Sequence, residues 1–271
     1  MKTLYVTDLD GTLLRSDQTI SAYTNETINR LVEQGMLFSY ATARSYITAR
    51  KVAGELRAQI PLIVYNGTFI IDNVSGKLLH GHFFGEQAKE ILDDLIAHGI
   101  FPIVYAYIDG VEKFSYLESA VTPGMQAFLD TRQGDIRRTA VREAADLYRG
   151  DIFYFTCIDE TDKLEPMLHK YRDQHHCIYA PDIYSGKQWL EITPAGVSKA
   201  NAIRRLQKLL GCDRVVVFGD GKNDMDMFEM ADECYAVENA AEELKAIATG
   251  VIGKNDEDAV AQWLLKNADC K

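Results

Sequence analysis

The segment YVTDLDGTLL, residues Tyr5 to Leu14, sets two aspartates one residue apart at the end of an apolar run. Carboxylates this close repel each other, and charged groups leave apolar surroundings unless they are paired or bound to a metal. The preceding TLYVT is rich in β-branched residues and predicts a strand ending at Asp8. Downstream, SAYTNETINRLVEQG predicts a helix with Ser21 as N-cap, an apolar face of Ile28, Leu31 and Val32, and a stop at Gly35. MLFSYAT reads as a second strand, SYITARKVAGEL as a second helix, and PLIVYNG as a third strand ending in a turn at Asn66-Gly67. This βαβαβ alternation predicts a parallel sheet with right-handed crossovers. Chemistry in such sheets gathers at the carboxyl ends of the strands, where Asp8, Thr42 and Asn66 fall.

The alternation returns near the C-terminus. SKANAIRRLQKLLG is an amphipathic helix capped by Ser198, and RVVVFGD is a buried strand ending at Asp220. A helix beginning NDMDMFEMA, a short strand CYAV, a helix near 240–247 and a last helix in DEDAVAQWLLKN follow. The middle of the chain differs. FPIVYAYIDGVEKFSYL predicts a hairpin about Asp109-Gly110, and DIFYFTCI, CIYAP and KQWLEIT are further strand-like runs. The predicted architecture is a Rossmann-like α/β core of residues 1–82 and 187–271, interrupted by an α+β module over 83–186.

Composition narrows the function. The chain has 271 residues, room for about two domains, with 47 % apolar and 25 % charged residues. Net charge is −11 and no Lys/Arg-rich run is present, which argues against nucleic acid as a partner. Cys157, Cys177, Cys212, Cys234 and Cys270 are scattered without a C-x-x-C pair, so neither zinc ligation nor a disulfide framework is expected. The start meets Asp8 too early for a signal peptide, and no run approaches the ~20 apolar residues of a membrane span. A cytoplasmic protein that avoids membranes is expected.

Four motifs fall at strand ends or helix starts: DLDGT (8–12), ATAR (41–44), GVSK (196–199) and GDGKND (219–224). Together they supply carboxylates at Asp8, Asp10, Asp220 and Asp224, a hydroxyl at Thr42 and an ammonium at Lys199. Such a carboxylate cluster suits Mg²⁺, a hard cation that prefers oxygen and would relieve the repulsion between Asp8 and Asp10. Thr42 and Lys199 then suit a phosphoryl group, with one carboxylate as nucleophile and the second as acid and base. Each motif alone also reads as structure: a solvated turn, a cap, a helix-start lysine. A calcium loop fails, because its fifth, sixth and twelfth places hold Thr12, Leu13 and Thr19. A cation at a helix N-terminus opposes the helix dipole, so Lys199 needs a reason.

With these motifs in this order, the chain resembles the haloacid dehalogenase superfamily of phosphohydrolases, in its Cof-type branch with a large inserted α/β cap. The resemblance implies that Asp8 is the nucleophile and Asp10 the general acid and base. It implies that Thr42, Lys199 and Asn223 bind phosphate, and that Asp8, the backbone carbonyl of Asp10, Asp220 and Asp224 hold or support Mg²⁺. Leu9, Gly11, Ala43, Arg44 and Asn66 are then substrate-proximal. The implied substrate is a small phosphorylated metabolite, handled by a monomer or weak homodimer. A phosphosugar mutase of the same fold, or a catalytically silent ligand-binding homologue, fits the same residues. Two positions depart from the branch. Ala43 stands where Gly is usual, and Lys222 replaces a small residue, pointing either at phosphate or at water. His80 and His82 lack a nearby third ligand, and His175-His176 reads as a surface turn. The tyrosines of the module (Tyr105, Tyr107, Tyr116, Tyr154, Tyr179, Tyr184) read mainly as packing.

Overall fold

Thr3–Thr7 forms β1 and is buried at every position, as an inner strand of a parallel sheet covered on both faces must be. The computed structural model describes residues 1–57, 59–181 and 187–269, so Tyr184 and Cys270 lie outside the described residues. After β1 come α1 (Ala22–Glu33), β2 (Leu37–Tyr40), α2 (Tyr46–Ala53), β3 (Leu62–Val64), β4 (Phe69–Ile71) and β5 (Leu78–Gly81). Next are α3 (Gln87–Ala97), β6 (Ile103–Ile108), β7 (Val111–Leu117), α4 (Pro123–Asp130), β8 (Arg138–Val141), β9 (Asp151–Asp159), α5 (Thr161–Tyr171), β10 (His176–Pro181) and β11 (Gln188–Thr193). The chain closes with α6 (Lys199–Leu210), β12 (Arg214–Gly219), α7 (Met225–Met230), β13 (Glu233–Ala236), α8 (Glu242–Ile247), β14 (Gly250–Val251) and α9 (Ala259–Asn267).

The chain divides into two compact units, Met1–Gly81 with Val197–Lys271, and His82–Gly196. In the first, five strands lie in the order β14-β13-β12-β1-β2 and every pairing is parallel. Ser21 caps α1 by accepting from the Thr24 amide, and Ser198 caps α6 by accepting from the Asn201 amide. The third predicted strand is only Leu62–Val64. It meets the end of β2 through one parallel bridge, Ala41 to Ile63, and otherwise pairs antiparallel with β4. The cause is the turn after it. Tyr65, Asn66 and Gly67 all have positive φ (51°, 52° and 100°), which folds the chain back on itself.

The second unit holds a six-stranded sheet, β10-β11-β9-β6-β7-β8, antiparallel except between β7 and β8. Helices α3 and α5 bury Ile91, Leu92, Leu95, Leu164, Met167 and Tyr171 with Val104, Phe155, Leu190 and Ile192. The predicted hairpin turns at Asp109 and Gly110, both with positive φ, as a two-residue type I′ turn requires. β11 pairs with both β9 and β10, which places residues 187–196 in this unit rather than in the core. His175 corrects another expectation. It is buried against the rings of Phe84 and Tyr171, and His176 already opens β10. Tyr105, Tyr116 and Tyr154 are buried in the sheet. Among the described residues, no helix is long and apolar enough to cross a membrane.

Candidate active site

The register of β1 on β12 pairs Thr7 with Phe218, and the Asp8 amide donates to the Phe218 carbonyl at 2.9 Å. The loops carrying Asp8 and Asp220 therefore leave the sheet side by side. Between them stands Lys199, the first residue of α6 and only 1 % exposed. Its Nζ donates to Asp8 Oδ1 at 2.5 Å and to Asp224 Oδ1 at 2.7 Å. These two carboxylates offset the opposition of the helix dipole to a cation at its start. The other Asp224 oxygen accepts from the amides of Asp220 and Gly221, both at 3.0 Å. Asp224 is fully buried, so it fixes the lysine and the 220–221 backbone together.

Burial is the largest influence on the Asp8 carboxyl and pushes it above its ordinary value. Asp224 and Asp220 add to the rise, and the Lys199 ammonium opposes it. Burial alone would favour neutral Lys199, but Asp224 and Asp8 outweigh it and hold the amine charged. The Asp220 carboxyl is pushed up to about 6, first by burial and then by Asp224 and Asp10, against the Thr12 hydrogen bond and Lys199.

Asp8, Asp220 and Asp224 offer carboxylate oxygens within 4.8 Å of one another, the one such cluster of ligating side chains among the described residues. Three carboxylates around one ammonium leave surplus negative charge in a largely buried site. The donors are hard oxygens, so the residues present fit Mg²⁺. The Asp10 carboxylate stands apart. It is half exposed and held by the Arg44 guanidinium in a two-point pair, Nε to Oδ2 at 2.8 Å and Nη2 to Oδ1 at 2.6 Å.

The remaining predicted residues take these places. Thr42 is fully buried; its hydroxyl accepts from the Arg44 amide at 3.1 Å, and its carbonyl accepts from the Asn66 amide at 2.9 Å. Asn223 is exposed and its amide donates to Asn66 Oδ1 at 3.4 Å. Leu9 is fully buried in the core. Gly11 has φ of 77°, and a Cβ there would stand 2.3 Å from Asp220 Oδ2, so only glycine fits. Ala43 is exposed and is not among the positive-φ residues, which explains how alanine serves there. Lys222 is exposed and pairs with Glu243 at 3.1 Å, so it faces solvent. Sequence reasoning misses Thr12, which donates to Asp220 Oδ1 at 2.9 Å, and Asn239, which donates to the Gly11 carbonyl at 2.8 Å. Thr12 lies inside a motif already noted; Asn239 sits in a polar turn with no periodic signal.

A parallel α/β core that gathers carboxylates and a buried lysine at its strand ends, with an antiparallel module inserted, defines a class of hydrolases. A family model for haloacid dehalogenase-like hydrolases matches residues 5–264. The chain belongs to that family, among its phosphatases. It is 31 % identical to 5-amino-6-(5-phospho-D-ribitylamino)uracil phosphatase YwtE of Bacillus subtilis, over 95 % of each chain. It is 25 % identical to HMP-PP phosphatase of Serratia proteamaculans, over 95 % of this chain and 92 % of that one. The same fold recurs in a crystal structure from Thermotoga maritima, with a TM-score of 0.81 at 24 % identity, covering 100 % of this chain and 99 % of the other.

Proposed function

We propose that the protein is a Mg²⁺-dependent phosphatase that hydrolyses a small phosphomonoester through a phosphoaspartyl intermediate on Asp8. The observation that carries this reading is the buried Asp8–Lys199–Asp224 set with Asp220 beside it. An Asp8 oxygen attacks phosphorus, the ester P–O bond breaks, and Asp10 gives its proton to the leaving alcohol. Water then attacks the phosphorus, Asp10 takes a proton from it, and the P–O bond to Asp8 breaks to release phosphate. Lys199 and Thr42 donate to the phosphoryl oxygens, and Asn223 supports them from the adjoining loop. Arg44 orients the Asp10 carboxylate through its two-point contact. Asp8, Asp220 and the Asp10 backbone carbonyl would hold Mg²⁺, with Asp224 in support because both its oxygens are already engaged. The ion would supply positive charge against the phosphoryl oxygens.

The names of the relatives support a small phosphorylated metabolite as substrate, a sugar phosphate or a similar compound. The enzyme acts in the cytoplasm as a monomer or weak homodimer. The test is Mg²⁺-dependent release of phosphate from p-nitrophenyl phosphate. Asp8→Asn is expected to lower turnover by about 10⁴-fold or more, as loss of a nucleophile does. Normal turnover in that variant would refute the assignment.

A further inference from the structure

Beyond β13, residues 237–241 hold a backbone carbonyl in each of the two carboxylate loops. The Asn239 amide donates to the Gly11 carbonyl at 2.8 Å, and two residues on the Ala241 amide donates to the Asp220 carbonyl at 2.9 Å. Asn239 is itself fixed, because its Oδ1 accepts from the Asn255 backbone amide at 3.1 Å. Asn255 is buried, and its side chain donates to the Leu14 carbonyl at 2.9 Å, past the turn.

We propose that Asn239 is a positioning residue for Asp10, acting through the Gly11 carbonyl; the proposal rests on the phosphatase reading above. Asn239 and Asp10 line one open cleft with Gly11, Gln18 and Lys254. The Asp10 carboxylate is half exposed, so its place depends on the backbone that carries it and on Arg44. That backbone is Asp10–Gly11, with Gly11 in a left-handed conformation hard against Asp220. The next residue, Thr12, holds the Asp220 carboxylate. Rotating the Gly11–Thr12 peptide disturbs both aspartates at once, and the Asn239 bond fixes that rotation. The chemistry requires asparagine. Its amide donates at one end and accepts at the other, whereas aspartate would turn a second acceptor toward the Gly11 carbonyl.

The test compares Asn239→Ala and Asn239→Asp with Asn255→Ala, each in the wild-type and Asp10→Asn backgrounds. Readouts are kcat and KM for p-nitrophenyl phosphate with Mg²⁺, and the thermal midpoint. The Asn239 variants are expected to lose about three- to tenfold in kcat, the scale of one hydrogen bond. KM should change less, and Asp should be worse than Ala. In the already slowed Asp10→Asn background the same substitutions should change kcat by less than about twofold. Asn255→Ala should lower the thermal midpoint and leave kcat near wild type. An equal fractional loss in both backgrounds, or a loss confined to the thermal midpoint, would overturn the proposal. If Asp10→Asn itself turns over normally, the acid and base assignment fails, and the proposal with it. The isosteric Asp variant keeps the acceptor for the Asn255 amide, so a loss of kcat in that variant at an unchanged thermal midpoint supports the proposal, and an unchanged kcat there overturns it.

Discussion

Among the described residues, each unit of this molecule buries a cation between two carboxylates, and the two clusters differ. In the inserted unit, Arg137 reaches Glu112 at 2.7 Å and Asp135 at 2.6 Å, with all three side chains under a tenth exposed. The Arg137 Nε and backbone amide both add bonds to the second Asp135 oxygen at 3.0 Å. A planar fork between two carboxylates makes a closed, directional network that ties a turn to a strand. In the first unit the cation is Lys199, a point charge without that fork. A third carboxylate, Asp220, sits beside its two partners on loops at strand ends. Burial of an ion pair is thus no mark of chemistry. What sets the Lys199 cluster apart is a surplus of two carboxylates over its cation, against one in the Arg137 cluster, on loops at strand ends.

Removing each cation in turn separates the two clusters most strongly. Lys199→Met leaves Asp8 and Asp224 facing each other without a counter-charge; it should abolish turnover and cost about 3–5 kcal/mol of unfolding free energy in urea. Arg137→Met should cost about as much stability, yet the folded fraction should keep kcat for p-nitrophenyl phosphate within a few-fold. A Lys199→Met protein with full turnover would erase the distinction.

Mg²⁺ probes the excess charge itself. Bound only to the folded state, it should stabilise the wild type by about 2.7 kcal/mol at a hundred times its dissociation constant, and chelator should reverse the gain. Asp220→Asn should lose most of that gain in differential scanning fluorimetry. An equal gain in that variant would place the ion elsewhere.

The smallest effect belongs to a carboxylate outside both clusters. Asp258 accepts from Arg15 at 2.7 Å, Ser21 at 2.7 Å and Thr24 at 3.0 Å. Burial alone would raise its carboxyl, but these donors outweigh it and hold it below the ordinary value. A depressed folded value gives stability that is full above the unfolded value near pH 4 and lost as pH falls below it. Urea unfolding from pH 6 to pH 3 should therefore be less steep in Asp258→Asn than in the wild type. Identical slopes would refute the role.

Most of the parallel sheet was legible because β1 and β12 are buried runs whose neighbours on both faces are apolar. The antiparallel return of β4 and β5 was not. PLIVYNG is apolar enough to continue a parallel sheet, and only the three positive-φ residues at its end show that it turns back. The end of the module was misplaced because QWLEIT reads the same whether it pairs with β9 or begins the core. His175 sits among polar residues in DQHHC, which hides its contact with two rings. In the site, the ionised residues were visible because charge at a strand end has a cost that demands a partner. Asn239 and Thr12 are neutral donors, to a backbone carbonyl and to the Asp220 carboxylate, and neutral polar residues leave no trace in charge or hydrophobic periodicity.

The distance along the chain between Asp8 and its cation has a consequence for how the protein comes into being. Lys199 lies 191 residues beyond Asp8, and at ~5–20 residues per second a ribosome needs roughly ten to forty seconds to cover that interval. β12, which covers one side of β1 from Thr3 to Thr7, is made later still. During synthesis this future inner strand is an edge, with an unpaired row of backbone groups and a carboxylate awaiting its counter-charge. The whole second unit emerges within that wait, so the first unit is begun first and finished last.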